Sequence, residues 1–183
     1  NFFDNAEVYA NGRSEEVMGS ILAKTGWLRD TYILSSKAFF GTGSKLPTKR
    51  GLHRKHLVEA CEQALKRLQT DYLDIVHVHD ADLGDYRKEI LEEAFPTLNE
   101  LKRQGLIHAV GSGMNEWQMM ADFARNADVA CFLLAGRYTL LEQDPLDEFF
   151  PLMRQKNISI FLGGVFNSGI LATGAIKGAR YQY

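Results

Sequence analysis

The sequence predicts an α/β fold, a parallel (β/α)8 TIM barrel that is incomplete here, with about six β/α units and without the first and last strands. Strict alternation of predicted strands and helices indicates a parallel sheet with right-handed crossovers. Two observations favour a barrel over an open doubly wound sheet. No dinucleotide fingerprint follows the first predicted strand, and polar residues end several consecutive strands.

Six short runs of apolar, β-branched and aromatic residues are the predicted strands. The longer runs do not alternate cleanly between apolar and polar residues, which is typical of parallel strands covered on both faces. The predicted strands are residues 1–4, 32–37, 73–79, 106–111, 129–134 and 158–163.

Segments with apolar residues at helical spacing separate these strands. The first begins at Ser14, a favourable cap residue, and the last begins at Pro145, where the missing N–H of proline is tolerated. The predicted helices are residues 14–24, 54–69, 90–104, 116–125 and 145–156.

Composition excludes several classes of partner. The 21 basic and 23 acidic residues are interspersed and give a net charge of -2, so we expect no nucleic-acid binding. The uncharged stretch 157–176 contains four glycines and several polar residues, so we expect no membrane insertion.

Cys61 and Cys131 are expected to be buried free thiols, which favours a cytoplasmic location. Residues 1–183 are expected to form one domain.

Three consecutive predicted strands end in ionisable residues. Asp4, Lys37 and His79 occupy these ends, and Tyr9 follows Asp4 in the loop before the first helix. Because the carboxyl ends of parallel strands meet on one rim of a barrel, we expect the four side chains to lie together. An ammonium favours a phenolate, a carboxylate orients the ammonium, and a histidine can orient a carbonyl. The set therefore suits proton transfer during interconversion of a carbonyl and an alcohol.

Each of these residues alone has an ordinary structural explanation as a cap, surface or packing residue. The spacing of His77 and His79 also allows a metal site, because residues two apart on a strand point to the same face. The other histidines do not converge on this pair, so the sequence favours a site without metal.

Three motifs resemble the signatures of the aldo-keto reductase family. They are FDNAEVY at residues 3–9, SK at residues 36–37 and DYLDIVHVH at residues 71–79. The resemblance extends over essentially the whole chain. By this resemblance, Tyr9 is the general acid or base.

The resemblance assigns roles to the other residues as well. Lys37 and Asp4 adjust the reactivity of the tyrosine, and His79 orients the substrate. The implied activity is that of an NAD(P)-dependent oxidoreductase acting by direct hydride transfer. Its small-molecule partner is an aldehyde, a ketone or the anomeric carbon of a sugar, converted to or from an alcohol or lactone.

The resemblance also implies binding residues for the cofactor, which is NADP(H) or NAD(H). Phe39 and Phe40 directly follow Lys37 and are expected to wall the substrate pocket, with core packing as the alternative. The expected cofactor-binding residues are Asn115, Gly164, Val165, Phe166, Asn167 and Gly169.

Two branches of the family share features with this chain. Residues 1–73 resemble potassium-channel beta subunits, whereas the chain from His77 onward is more similar to aldose or fucose-type sugar dehydrogenases. The leading hypothesis is therefore an aldose 1-dehydrogenase-like oxidoreductase. The alternatives are a cofactor-binding regulatory barrel or an inactive fragment of a longer reductase. The sequence leaves open the physiological substrate, the preferred cofactor and whether the protein forms a homo-oligomer.

Overall fold

The computed structural model describes residues 1–181, which form a curled sheet of six parallel strands with helices on its outer face. Each strand pairs with the next strand along the chain. The predicted α/β class and partial parallel barrel are therefore confirmed. The strands are β1 (Phe2–Asp4), β2 (Ile33–Ala38), β3 (Leu73–His79), β4 (Ile107–Met114), β5 (Cys131–Ala135) and β6 (Ser159–Gly163).

The helices alternate with the strands, and several of their bounds differ from the prediction. Ser14 lies inside the first helix, whose N-cap is Gly12 with a φ of 88°. Pro145 lies in a separate 3-10 turn, and the following helix begins only at Phe149. The helices are α1 (Arg13–Thr25), α2 (Arg54–Leu68), α3 (Arg87–Glu89), α4 (Phe95–Arg103), α5 (Trp117–Asn126), α6 (Phe149–Lys156) and α7 (Ile170–Thr173), with a π-helical turn (Ile90–Ala94) between α3 and α4.

None of the helices in the described part of the chain is both long enough and apolar enough to span a membrane. The free and buried state predicted for Cys61 and Cys131 is confirmed.

The sheet curls enough to bring its two edge strands together. The rings of Phe2 on β1 and Phe161 on β6 stack with centroids 4.5 Å apart and planes 9° apart. This stack lies within the curl, since His77 on β3 meets the same Phe161 ring edge-on. The curl turns the six carboxyl strand ends toward one another.

The main apolar core lies between the sheet and the helices. Alternate strand residues face outward into it, while their neighbours in the sequence face the inside of the curl. Buried members of this core on strands and helices include Leu34, Val76, Val78, Phe132, Leu57, Phe95, Phe123 and Phe149. The alternation leaves Lys37, His77 and His79 on the inner face.

A close helix contact anchors the chain between β1 and β2. Gly19 on α1 lies against the backbone of α2, where a methyl group on its Cα would be 2.4 Å from the carbonyl oxygen of Arg67. Nearby, buried Glu15 on α1 accepts a hydrogen bond of 2.7 Å from Arg67 and one of 2.5 Å from Ser36 on β2. Helices α1 and α2 are thereby fixed to each other and to the sheet.

We predict that Gly19→Ala lowers the free energy of unfolding by about 1–3 kcal/mol, because the added methyl overpacks a backbone contact that cannot move aside. Thermal unfolding followed by circular dichroism measures the change. Lys24→Ala, on the exposed last turn of the same helix, is the control and should change it by less than about 0.5 kcal/mol. Equal effects of the two variants would contradict the packing argument.

Candidate active site

A cavity of about 490 Å³ opens at the carboxyl ends of the strands. Asp4, Lys37 and His79 line it from three consecutive strands, and Tyr9 and Phe40 line it from the loops. The structure therefore brings together the four ionisable residues that the sequence suggested. Their meeting follows from parallel pairing, since Lys37 is in register with His77 on β3 and Asp4 with Ser35 on β2.

Lys37 is a buried cation surrounded by acceptors. Its side chain is 3% exposed, and its Nζ lies 2.5 Å from the Asp4 carboxylate and 2.8 Å from the backbone oxygen of Asn5. The other oxygen of Asp4 accepts a hydrogen bond of 2.5 Å from Ser35. The Tyr9 hydroxyl is 3.4 Å from the same Nζ. The ammonium thus connects the carboxylate to the phenol.

The loop that carries Tyr9 is held against β2 by its backbone. The N–H groups of Asn5 and Glu7 donate to the carbonyls of Ser35 and Lys37, at 3.0 and 3.1 Å. The chain then turns sharply, with positive φ from Ala10 to Gly12, before α1 begins. Tyr9 is 41% exposed and lines the cavity.

Glu7 is a functional candidate that the sequence reasoning missed. Its buried Oε1 accepts hydrogen bonds from the backbone N–H groups of Phe39 (2.8 Å) and Gly41 (2.9 Å), and lies 3.1 Å from Nε2 of His56. These bonds tie the Tyr9 loop to the loop that carries Phe40. The only available signal was a charged residue inside the FDNAEVY motif.

His79 is a neutral imidazole at the cavity wall. Burial, and secondly the Lys37 charge, lower the pKa of His79 to about 4. Its ring meets those of Tyr9 and Phe40 edge-on, with centroids 5.7 and 5.4 Å away. Its Nδ1 is buried and has no hydrogen-bond partner within residues 1–181, while Nε2 lies 3.6 Å from the carboxylate of Asp80.

Asp80 is a second residue that the sequence reasoning missed. It lines the cavity directly after His79, and its backbone has the uncommon φ of 41°. A backbone bond of 2.7 Å from Asp80 N–H to the carbonyl of Gly113 extends the β3–β4 ladder to this residue. Burial, followed by the nearby charge of Asp82, raises the pKa of Asp80.

His77 faces the inside of the sheet but lies deeper than His79. Neither of its ring nitrogens has a hydrogen-bond partner in the described part of the chain. Burial and the Lys37 charge lower its pKa to about 3. The residues that the structure describes contain no cluster of three histidine, cysteine, aspartate or glutamate side chains placed to hold a metal ion.

The two phenylalanines expected to wall the substrate pocket differ in position. Phe40 lines the cavity, but Phe39 is a buried member of the core whose ring packs edge-on against Tyr86, with centroids 5.2 Å apart. For Phe39 the structure therefore favours the alternative of core packing. Strand β2 ends at Ala38, and the chain then turns so that the Phe39 carbonyl accepts a bond from Gly51.

Of the expected cofactor-binding residues, Asn115 and Gly164 line this cavity. The Asn115 amide donates a 2.7 Å hydrogen bond to the backbone oxygen of Ala135. The other four residues follow in the loop after β6 and do not line the cavity. Val165 and Phe166 are exposed, Gly169 has a φ of 97°, and Asn167 is buried, with neither amide atom partnered among residues 1–181.

This site can be compared with known proteins. It combines Asp, Lys and His at strand ends with a Tyr in a loop, on a partial parallel barrel. The sequence profile described as "Aldo/keto reductase family" matches residues 1–183. The chain belongs to this family. The chain is 35% identical to a probable voltage-gated potassium channel subunit beta of Arabidopsis thaliana, over 98% of this chain and 54% of that protein.

Other similar proteins carry different descriptions. The chain is 32% identical to pyridoxal 4-dehydrogenase of Microbacterium luteolum, over 100% of this chain and 61% of that protein. The holo form of an aldo-keto reductase from Bacillus halodurans matches all of this chain and 58% of its own, with a TM-score of 0.77 and 24% identity. That likeness shows the fold. This aldo-keto reductase chain spans a little over half the length of these curated relatives.

We predict that His77 makes the protein less stable in acid. In the unfolded chain its pKa is near 6.5, whereas in the fold it is about 3. Between these values the unfolded state binds more protons, so the stability present above pH 6.5 is lost as the pH falls. The slope is about 1.4 kcal/mol per pH unit for each such histidine, and His79 adds a second, down to about pH 4.

His77→Leu should remove about half of this loss between pH 6.5 and 4.5. Urea unfolding at pH 7.0, 6.0, 5.0 and 4.5 measures it. Gln118→Ala, at an exposed position of α5 that carries no titratable group, is the control and should keep the wild-type pH dependence. An unchanged slope in His77→Leu would mean that the residue is protonated or paired in the folded protein.

Proposed function

We propose that this protein is an NAD(P)-dependent oxidoreductase that interconverts an aldehyde, ketone or sugar anomeric carbon with the corresponding alcohol or lactone. The observation that carries the proposal is the buried Lys37 ammonium, held between the Asp4 carboxylate and the Tyr9 hydroxyl at the mouth of a cavity. Family membership supports the same class of reaction.

In this proposal Tyr9 is the general acid or base. The nearby ammonium favours the phenolate, because a cation stabilises the anion left when the hydroxyl gives its proton to a carbonyl oxygen. Asp4 and Ser35 keep the ammonium in place. In the reverse direction the phenolate accepts the proton from the alcohol.

His79 is proposed to orient the substrate. Because its pKa is lowered to about 4, the ring is neutral near pH 7 and carries one N–H. With Nδ1 enclosed by protein, Nε2 is the nitrogen that can donate to a carbonyl oxygen shared with Tyr9. Phe40 covers the same region with an apolar ring, which excludes water from the reacting carbonyl.

The residues fit a nicotinamide dinucleotide in two respects. The buried, unpartnered amide of Asn167 can bond a polar ligand, and residues 163–169 carry no charge that would repel phosphates. Asn115 would hold the carboxamide through its amide oxygen, and the backbone from Gly164 to Gly169 would face the pyrophosphate. When bound, the reduced nicotinamide supplies a hydride to the carbonyl carbon, and the oxidised form accepts one in the reverse reaction.

A regulatory, cofactor-sensing barrel is the second candidate function. The 35% identity to a probable channel beta subunit favours it, although that description belongs to the relative. Pyridoxal 4-dehydrogenase, whose name describes an enzyme acting on an aldehyde, favours turnover. Rapid steady-state turnover supports the enzyme, whereas one slow turnover with retained cofactor supports the sensor.

The free, buried cysteines support a cytoplasmic location.

We predict that Tyr9→Phe lowers kcat by about a hundredfold to ten-thousandfold, because it removes the general acid or base while keeping the ring. Steady-state assays with an aldehyde and NADPH measure the loss, and cofactor titration should give an unchanged Kd. Tyr138→Phe is the matched control, since that ring packs on Phe150 outside the cavity. Near-wild-type turnover in Tyr9→Phe would refute the assigned role.

We also predict that the cofactor raises the melting temperature. A ligand that binds only the folded state at about a hundred times its Kd adds about 2.7 kcal/mol to the free energy of unfolding. Parallel melts with NADPH, NADH and no nucleotide measure the effect and identify the preferred nucleotide. A melting temperature that neither nucleotide changes would contradict cofactor binding.

A further inference from the structure

Asp80 presents an unused carboxylate to the cavity. Its side chain is 38% exposed, and no hydrogen bond reaches its carboxylate from residues 1–181; Nε2 of His79 lies 3.6 Å from it. Its backbone has a positive φ of 41°, a conformation that residues other than glycine adopt rarely and aspartate more readily than most. Unfavourable backbone conformations of this kind concentrate at functional sites.

The charges that line the cavity do not balance. The Lys37 ammonium is neutralised by Asp4 at 2.5 Å, and the His79 ring is uncharged near pH 7. Asp80 therefore leaves the described lining with one net negative charge. Arg137, a basic residue in the loop after β5, does not line the cavity and pairs with Glu142 at 3.1 Å.

We propose that Asp80 is the specificity-determining residue of the cavity and selects uncharged α-hydroxy carbonyl compounds, such as hydroxyaldehydes and sugars, over carboxylate-bearing aldehydes. This proposal rests on the function proposed above. A carbonyl oxygen bound by Tyr9 and Nε2 of His79 places the adjacent carbon next to Asp80. A hydroxyl on that carbon can donate to the free carboxylate. A substrate carboxylate instead meets a like charge, and the described lining offers no cation besides Lys37, which Asp4 already neutralises.

The test compares kcat/KM for glyceraldehyde, propanal and succinic semialdehyde in the complete natural protein with saturating NADPH. Asp80→Gly removes the acceptor and suits the positive φ, and should lower the glyceraldehyde-to-propanal ratio about tenfold or more. Asp80→Asn removes the charge, keeps the shape and tolerates the same backbone. It should raise the succinic semialdehyde-to-propanal ratio about tenfold.

Asp85→Asn, an exposed position in the same loop, is the matched control and should keep both ratios within about twofold of wild type. Proportional changes for all three substrates in the Asp80 variants would overturn the specificity role and mean that Asp80 acts only through His79. A wild-type protein that does not prefer glyceraldehyde over propanal would also overturn it. Absence of wild-type turnover on every substrate would instead refute the proposed oxidoreductase function itself.

Discussion

The buried ammonium of Lys37 is the interaction on which the rest of the site depends. A cation that is almost fully removed from water must be compensated by nearby negative and polar groups. Asp4 and the carbonyl of Asn5 supply this compensation, and both lie at the end of β1. The β1–β2 register therefore determines whether the Lys37 ammonium meets the groups that compensate its charge. The loop leaving β1 then brings Tyr9 to the same ammonium.

A second buried charge stabilises the loops around that pair. Glu7 bonds two backbone N–H groups of the loop after β2, on either side of Phe40, and contacts His56 on α2. The loop with Tyr9 and the loop with Phe40 therefore cannot move independently without leaving a buried carboxylate unpaired, which is costly. The cavity owes its shape to hydrogen bonds as much as to apolar packing.

Particular residues show how far the sequence could predict this structure. The proximity of Asp4, Lys37 and His79 was predictable, because parallel strands direct their carboxyl ends to one edge. The position of Phe39 was not, because strand alternation stops at Ala38, where the chain turns. The place of Asp80 on the cavity wall was also missed, since its left-handed conformation and its backbone bond to Gly113 on another strand arise only in the fold.

The sequence by itself determined the order of the elements, the parallel sheet and the residue types at the strand ends, because periodicity and spacing are local properties of the chain. Only the tertiary structure decided which polar groups are already bonded and which remain available. The side-chain N–H of Asn115 already donates to the backbone oxygen of Ala135. The carboxylate of Asp80, on the cavity wall, accepts no hydrogen bond from residues 1–181. These differences depend on partners far apart in sequence, which the curl of the sheet brings within hydrogen-bonding distance.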